Sequence, residues 1–236
     1  MTAPGTYRYT YDNIVVTCMV CGDFKENAYL IRERSSGRTI LLDPGDNLEL
    51  IRSEITAAGS IVDEIILTHG HFDHVATAAT LCREFGIPLK IHEKDTKLLR
   101  KASIYALSFT KCTIETPKDY LTFVDVAQFA LNNLAVDVFP SPGHTAGGVC
   151  LHIDGVLFTG DSLFFQHIGP TDYPESNYQD LIDSVDRLLA HFADDTIIMP
   201  GHGRPWIIGE AKVWWAENRS APPQFQIMHK RPTSNV

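Results

Sequence analysis

The stretch LTHGHFDHVA, residues 67–76, places three histidines and an aspartate within six positions, directly after an apolar run. His69 and His71 stand two apart at the end of a predicted strand, so their side chains leave the same side of an extended backbone. Asp73 and His74 lie where the chain turns into the next helix and approach from another direction. Imidazole nitrogens and carboxylate oxygens gathered in this way form a donor set for a divalent ion.

Three later segments share one form, a short apolar strand ending in a polar residue beside glycine. FPSPGHT supplies His144, VLFTGDS supplies Asp161 and IIMPGHG supplies His202. The glycines leave room for tight backbone turns next to a ligand. A lone histidine is ordinarily a plain core or surface residue, and His92, His152, His167, His191 and His229 are read that way. For the set of seven that reading is expensive, because several neutral imidazoles and two carboxylates would sit at strand ends without a shared partner. The set is therefore read as a metal site.

The elements that must position these residues alternate in type. YRYTYDNIVVTCMV (7–20), NAYLIRE and RTILLDPG read as an antiparallel strand series, rich in aromatic and β-branched residues. From Asp46 the pattern turns helical: Leu48, Ile51 and Ile55 recur at helical spacing and Gly59 closes the segment. The strand EIILT, a helix from about Phe72 to Phe85 and the strand LKIH follow. The second half repeats the style with LAVDVFP, GVCLHI and VLFTG. A capping box of Ser176 and Gln179 then opens a helix whose face carries Leu181, Ile182, Val185, Leu188, Leu189 and Phe192. The strand TIIMP and a helix from about Gly209 to Asn218 complete the pattern. These elements predict one domain over residues 1–220, an α/β protein of two sheets packed face to face with helices outside. Residues 221–236, with two adjacent prolines and no apolar period, are expected as a C-terminal tail or surface arm.

Bulk properties limit the partners. With 236 residues, 44% of them hydrophobic, the chain can bury a full core in one domain. Its 29 acidic and 20 basic residues give a formal charge of −9 without a basic run, which argues against nucleic acid and anionic membrane as partners. No signal-peptide pattern or membrane-length apolar stretch is present. The odd count of five cysteines fits a reducing compartment, so a cytoplasmic location is expected. Cys18 and Cys21 form a lone CxxC and are assigned no role.

THGHFDHV resembles the HxHxDH signature of the metallo-β-lactamase fold, and PGHT, GDSLF and PGHG are similar to its later ligand motifs in the same order. The resemblance runs from about residue 14 to 210 and is nearest to the short glyoxalase-II-like hydrolases. It implies an αββα sandwich of two mixed sheets with a binuclear site at one edge. By resemblance, His69, His71 and His144 hold one ion, Asp73, His74 and His202 hold the other, and Asp161 bridges them. Zinc is the implied metal, and the all-nitrogen-and-oxygen set also accepts iron or manganese. Asp43, in LLDPG, is similar to a family position that supports a ligand; a strand-end turn residue before Pro44 is the alternative.

The implied chemistry is hydrolysis, in which a hydroxide shared by two ions attacks an acyl carbonyl and Asp73 orients the nucleophile or takes its proton. The expected substrate is a small acyl compound, a thioester such as an S-acyl-glutathione first. Two departures from the family count against glutathione. GPTDYP places Pro170 where short glyoxalase-II-like members carry an arginine, and the 34 residues after His202 hold no counterpart of the helical domain that binds glutathione in full-length glyoxalase II. Trp206 is read either as a wall of a different pocket or as packing. The rival readings are a mononuclear iron persulfide dioxygenase, which shares PGHTAG but fits PGHGRP less well, a lactonase or other ester hydrolase, and a binding module without a reaction.

Overall fold

The computed structural model describes residues 5–124, 128–131 and 134–225. Strands β1 (Thr6–Thr10), β2 (Ile14–Cys21), β3 (Glu26–Glu33) and β4 (Arg38–Leu42) pair antiparallel in chain order. Helix α1 (Leu48–Ala58) then carries the chain to β5 (Ile61–Ile66), parallel to β4. Helices α2 (Phe72–Val75) and α3 (Ala78–Phe85) lead to β6 (Leu89–His92), and α4 (Thr96–Thr110) leads to β7 (Leu121–Phe123), completing a seven-stranded mixed sheet.

The second sheet begins with β8 (Gln128–Leu131), β9 (Leu134–Pro140), β10 (Val149–Ile153) and β11 (Val156–Gly160), all antiparallel neighbours. A small hairpin of β12 (Leu163–Phe164) and β13 (His167–Ile168) and helix α5 (Tyr178–His191) follow. Then β14 (Ile197–Pro200) pairs parallel with β11, β15 (Trp206–Ile207) forms the edge, and α6 (Ile208–Asn218) closes the order.

Alternation along the strands builds the layers. In β3, Tyr29 and Ile31 face the second sheet, together with Val138, Leu151 and Phe158, while Ala28 and Leu30 face outward onto Ile51, Leu81 and Leu99 of α1, α3 and α4. On the other side, Leu157 and Ile198 pack against Leu181, Val185, Leu188 and Trp215 of α5 and α6. The result is the αββα sandwich expected from the sequence. Among the described residues no helix is long and apolar enough to cross a membrane.

Two local expectations are corrected and two details are added. The helix from Phe72 to Phe85 is two helices, because Thr77 turns its N–H (3.2 Å) and hydroxyl (3.1 Å) to the Pro44 carbonyl and interrupts the helical ladder. Helix α4 was not expected. Its cap signals are absent: Asp95 makes no cap bond, and Lys111, not glycine, takes the left-handed position at the end. The capping box is replaced by Asn177, whose side chain accepts from Asp180 N (3.2 Å), because the Ser176 hydroxyl donates instead to the His144 carbonyl (2.6 Å). Within the antiparallel series, the stretch 7–20 divides into a hairpin of β1 and β2. Of the expected tail, residues 226–236, including His229, lie outside the described residues.

Candidate metal centre

The C-terminal ends of β4, β5, β9, β11 and β14 meet at one edge of the sandwich. They deliver Asp43, the 68–74 segment, His144, Asp161 and His202, all buried. Two sets of three can each hold an ion. In His69–His71–His144 and in Asp73–His74–His202 the offered atoms lie within 4.8 Å of one another. Asp161 stands between the sets, with Oδ1 3.2 Å from His74 Nε2 and Oδ2 3.4 Å from His144 Nε2 and 3.5 Å from His202 Nε2. A further grouping of Asp43 with His69 and His74 meets the same distance test. Asp43 is already spent on protein donors, however: its Oδ1 accepts from Thr68 N (2.7 Å), and its Oδ2 from Thr68 Oγ1 (2.6 Å) and His74 Nδ1 (3.1 Å). It acts as a support for His74, not as an eighth donor to an ion.

The tautomers follow from the partners. His74 Nδ1–H donates to Asp43, His144 Nδ1–H to the Pro170 carbonyl (2.7 Å), His202 Nδ1–H to the Phe24 carbonyl (3.1 Å) and His69 Nδ1–H to Thr68 Oγ1 (3.0 Å). His71 is turned the other way: its Nε2–H donates to Glu175 Oε1 (3.0 Å) and its Nδ1 faces inward, 2.8 Å from His144 Nε2. Every ring is thus anchored on its outer nitrogen with the other one aimed at the centre, as an outer layer around a metal requires.

On the inner side, His69 Nε2, His74 Nε2, His202 Nε2, Asp73 Oδ2 and Asp161 Oδ1 are buried without a hydrogen-bond partner. An unsatisfied buried polar atom costs about 1–3 kcal/mol. The donor set therefore fits an ion better than it fits a protein interior.

Charge is arranged in the same sense. Burial holds His69 well below the imidazole range and lowers His144 to about 4. In His74 and His202 burial is outweighed by the carboxylates of Asp161 and Asp73, which raise both rings, His202 to about 9. Burial of Asp161 is in turn outweighed by His202 and His74, and its carboxyl sits well below its usual range. Below pH 9, His202 thus carries a proton that an ion must displace, whereas His69 and His144 are already neutral. Uptake at Asp73–His74–His202 is expected to weaken by about tenfold per pH unit, for each proton displaced, as pH falls from 8.5 to 6. Uptake at the set containing His69 and His144 should change less. Calorimetric titration of metal-free protein across that range checks this, and equal pH slopes for the two steps would overturn it.

Several residues of the site carried no signal in the sequence. Asp95 accepts from Gly70 N (2.9 Å), Thr145 Oγ1 (2.8 Å) and Gly147 N (2.6 Å), tying the two histidine loops together. Glu26 is fully buried, with neither oxygen hydrogen-bonded, and burial pushes its carboxyl well above the usual carboxylate range. The mouth is walled by rings. Phe24 meets Phe72 edge-on at 5.0 Å, Phe72 stacks on Phe109 at 5.6 Å, and Tyr173 lies 5.2 Å from His71. Tyr105 joins them, and among the described residues no lysine or arginine lines the mouth. A larger hollow between α3 and residues 115–121 contains none of the seven candidate ligands. Trp206 packs on Phe165 and Trp214 under α6, away from the centre. Cys18 and Cys21 point to opposite faces of β2, which keeps them from acting as a pair.

Comparison with known proteins agrees with this geometry. The metallo-beta-lactamase superfamily model matches residues 21–202. Hydroxyacylglutathione hydrolase GloC of Haemophilus influenzae is 34% identical over 193 residues, covering 80% of this chain and 91% of that protein. Among solved structures, BLEG-1 B3 metallo-beta-lactamase is 28% identical with a TM-score of 0.76, covering 83% of this chain and 95% of that one. TTHA1623 in a di-iron-bound form is 31% identical with a TM-score of 0.74, covering 83% and 96%. The chain belongs to the metallo-beta-lactamase superfamily, among its metallo-hydrolases.

Proposed function

We propose that this chain is a binuclear hydrolase of small acyl compounds, thioesters first, working in the cytoplasm. The observation that carries the reading is the ring of inward-facing, unpartnered donor atoms around Asp161, each histidine among them held from behind. His69, His71 and His144 are assigned to one ion, Asp73, His74 and His202 to the other, and Asp161 to both. Zinc is the first choice. The similar protein with a di-iron-bound form keeps iron in view, and the donor set admits manganese. When bound, such a pair polarises a carbonyl and makes a water acidic enough to attack at neutral pH.

The chain's own residues do the rest. Asp73 Oδ2 lies 3.5 Å from His202 Nε2 and its residue lines the mouth, so it can orient the nucleophile or accept its proton. Asp43, Thr68 and Glu175 keep His74, His69 and His71 in the binding tautomer. The aromatic wall excludes water and suits an apolar acyl group. Supporting a thioester is the name of the Haemophilus influenzae relative, a hydroxyacylglutathione hydrolase. Among the described residues no lysine or arginine lines the mouth, and this, together with Pro170, favours a thiol carrier other than glutathione.

The test is a panel of acyl thioesters, esters and lactones offered to metal-loaded protein, with thiol release and oxygen consumption followed together. Thiol release without oxygen uptake, faster for apolar acyl groups on a neutral thiol than for S-lactoylglutathione, is the expected result. Oxygen uptake with a persulfide and no thiol release would replace the reading with a dioxygenase. Ester or lactone cleavage alone would keep the chemistry and change the substrate.

A further inference from the structure

We propose that Gln224 and Phe225, at the end of the described chain, are positioning residues of the metal centre: Gln224 anchors a C-terminal arm and Phe225 presses on the face of His202. The inference rests on the assignment of Asp73–His74–His202 as a metal site.

The arm is tied down from α6 onward. Arg219 pairs with Asp186 of α5, and the chain then turns at residues 218–221 with Ala221 N donating to the Asn218 carbonyl (3.0 Å). Pro222 is buried, and the next residues run beside β13. Ile168 N donates to the Pro223 carbonyl (2.9 Å) and Phe225 N donates to the Ile168 carbonyl (2.8 Å). Gln224 Oε1 accepts from both Thr171 N (2.9 Å) and Thr171 Oγ1 (3.2 Å). Thr171 follows Pro170, whose carbonyl receives the His144 ring. A single side chain thus pins the arm to a loop that already serves the centre.

That pinning brings the Phe225 ring nearly parallel to the His202 ring, with centroids 5.4 Å apart and an interplanar angle of 27°. Phe225 also meets Phe164 at 4.9 Å, and Phe164 meets the His202 ring edge-on at 5.7 Å. His202 has one hydrogen bond holding its outer nitrogen, to the Phe24 carbonyl. One bond fixes a direction but leaves the ring free to tilt about it. A flat ring against one face and a second at its edge remove that freedom and keep Nε2 aimed between Asp73 and Asp161. Neighbours that orient a ligand in this way are worth about 10- to 100-fold in metal affinity.

The experiment is zinc titration of metal-free parent, Phe225→Leu, Phe225→Tyr and Gln224→Ala, resolving the two binding steps by calorimetry and following the thermal unfolding of each metal-free protein. Phe225→Leu keeps apolar volume without a ring. It should weaken one step by about 10- to 100-fold and leave the other step and the metal-free unfolding temperature as in the parent. Phe225→Tyr should restore parent affinity, and Gln224→Ala, which loosens the anchor, should weaken the same step less. Parent affinities in both steps for Phe225→Leu and Gln224→Ala would overturn the role of the arm. So would equal weakening of both steps accompanied by a lower metal-free unfolding temperature, which marks plain packing. A parent that takes up one equivalent fails the two-ion reading first, and the arm's role falls with it.

Discussion

Asp161→Ala should leave the protein folded while removing most of the metal at both positions and nearly all turnover. As a turn residue after β11, Asp161 would be worth about 1 kcal/mol. Its carboxylate is fully buried, its Oδ1 has no hydrogen-bond partner, and its two oxygens approach His74 on one side and His144 and His202 on the other. A group so placed offers an atom to each set and offsets part of the repulsion between two cations held close together. Without an ion, His74 and His202 hold this carboxylate in its charged form, so its removal should lower metal-free stability while leaving the protein folded. With ions, the loss should exceed the roughly 10- to 100-fold typical of an outer supporting residue. Elemental analysis and single-substrate kinetics read both quantities. His191→Ala, at the exposed end of α5 against Phe139, supplies the control and should alter neither. If Asp161→Ala retains two equivalents of metal and turnover near that of the parent, the centre described above is not the seat of the reaction.

The residues gathered at this edge were legible because His69, His71, His144, Asp161 and His202 each stand beyond an apolar strand next to a glycine, and Asp73 and His74 follow in the same short segment as the first two. The sandwich was legible because alternation such as Tyr29 and Ile31 against Ala28 and Leu30 survives in the local sequence. What escaped has its cause at long range. Glu175 reaches His71 across 104 positions and Asp95 reaches Thr145 across 50, distances over which no spacing rule operates. Ser176 looked like a cap because the local pattern allows it, yet the His144 carbonyl, brought close only by the fold, takes its hydroxyl and leaves Asn177 to cap α5. Helix α4 starts behind a residue of cap type, yet the Asp95 carboxylate caps nothing, because it is committed to Gly70, Thr145 and Gly147. Phe225 gave no sign at all, because only tertiary pairing with β13 carries it to His202.

The second large effect concerns a residue with no side chain. Gly201→Ala should impair the centre while keeping all seven donors. A methyl group at Gly201 would overlap Asp161 Oδ1 and stand 2.8 Å from His74 Cε1 and 3.0 Å from the Gly160 carbonyl carbon. The backbone cannot yield to it, because Gly201 N donates to the Gly160 carbonyl (2.8 Å) and Asn27 N donates to the Gly201 carbonyl (2.7 Å). The Asp161 carboxylate must move instead, out of the gap between the two sets. Overpacking of this kind costs about 1–3 kcal/mol in stability, and the larger consequence should be a loss of metal from both positions with turnover falling in proportion. Gly203→Ala, two residues on in the same PGHG motif, separates this from backbone strain. Gly203 has φ +82°, so alanine there costs about 1–2 kcal/mol, yet its added methyl would touch nothing within 4 Å. That variant should melt earlier and still bind its metal. Circular dichroism, metal content and turnover on the two proteins make the comparison. If Gly201→Ala keeps both ions and its activity, Asp161 is not held between the two sets by the packing described here.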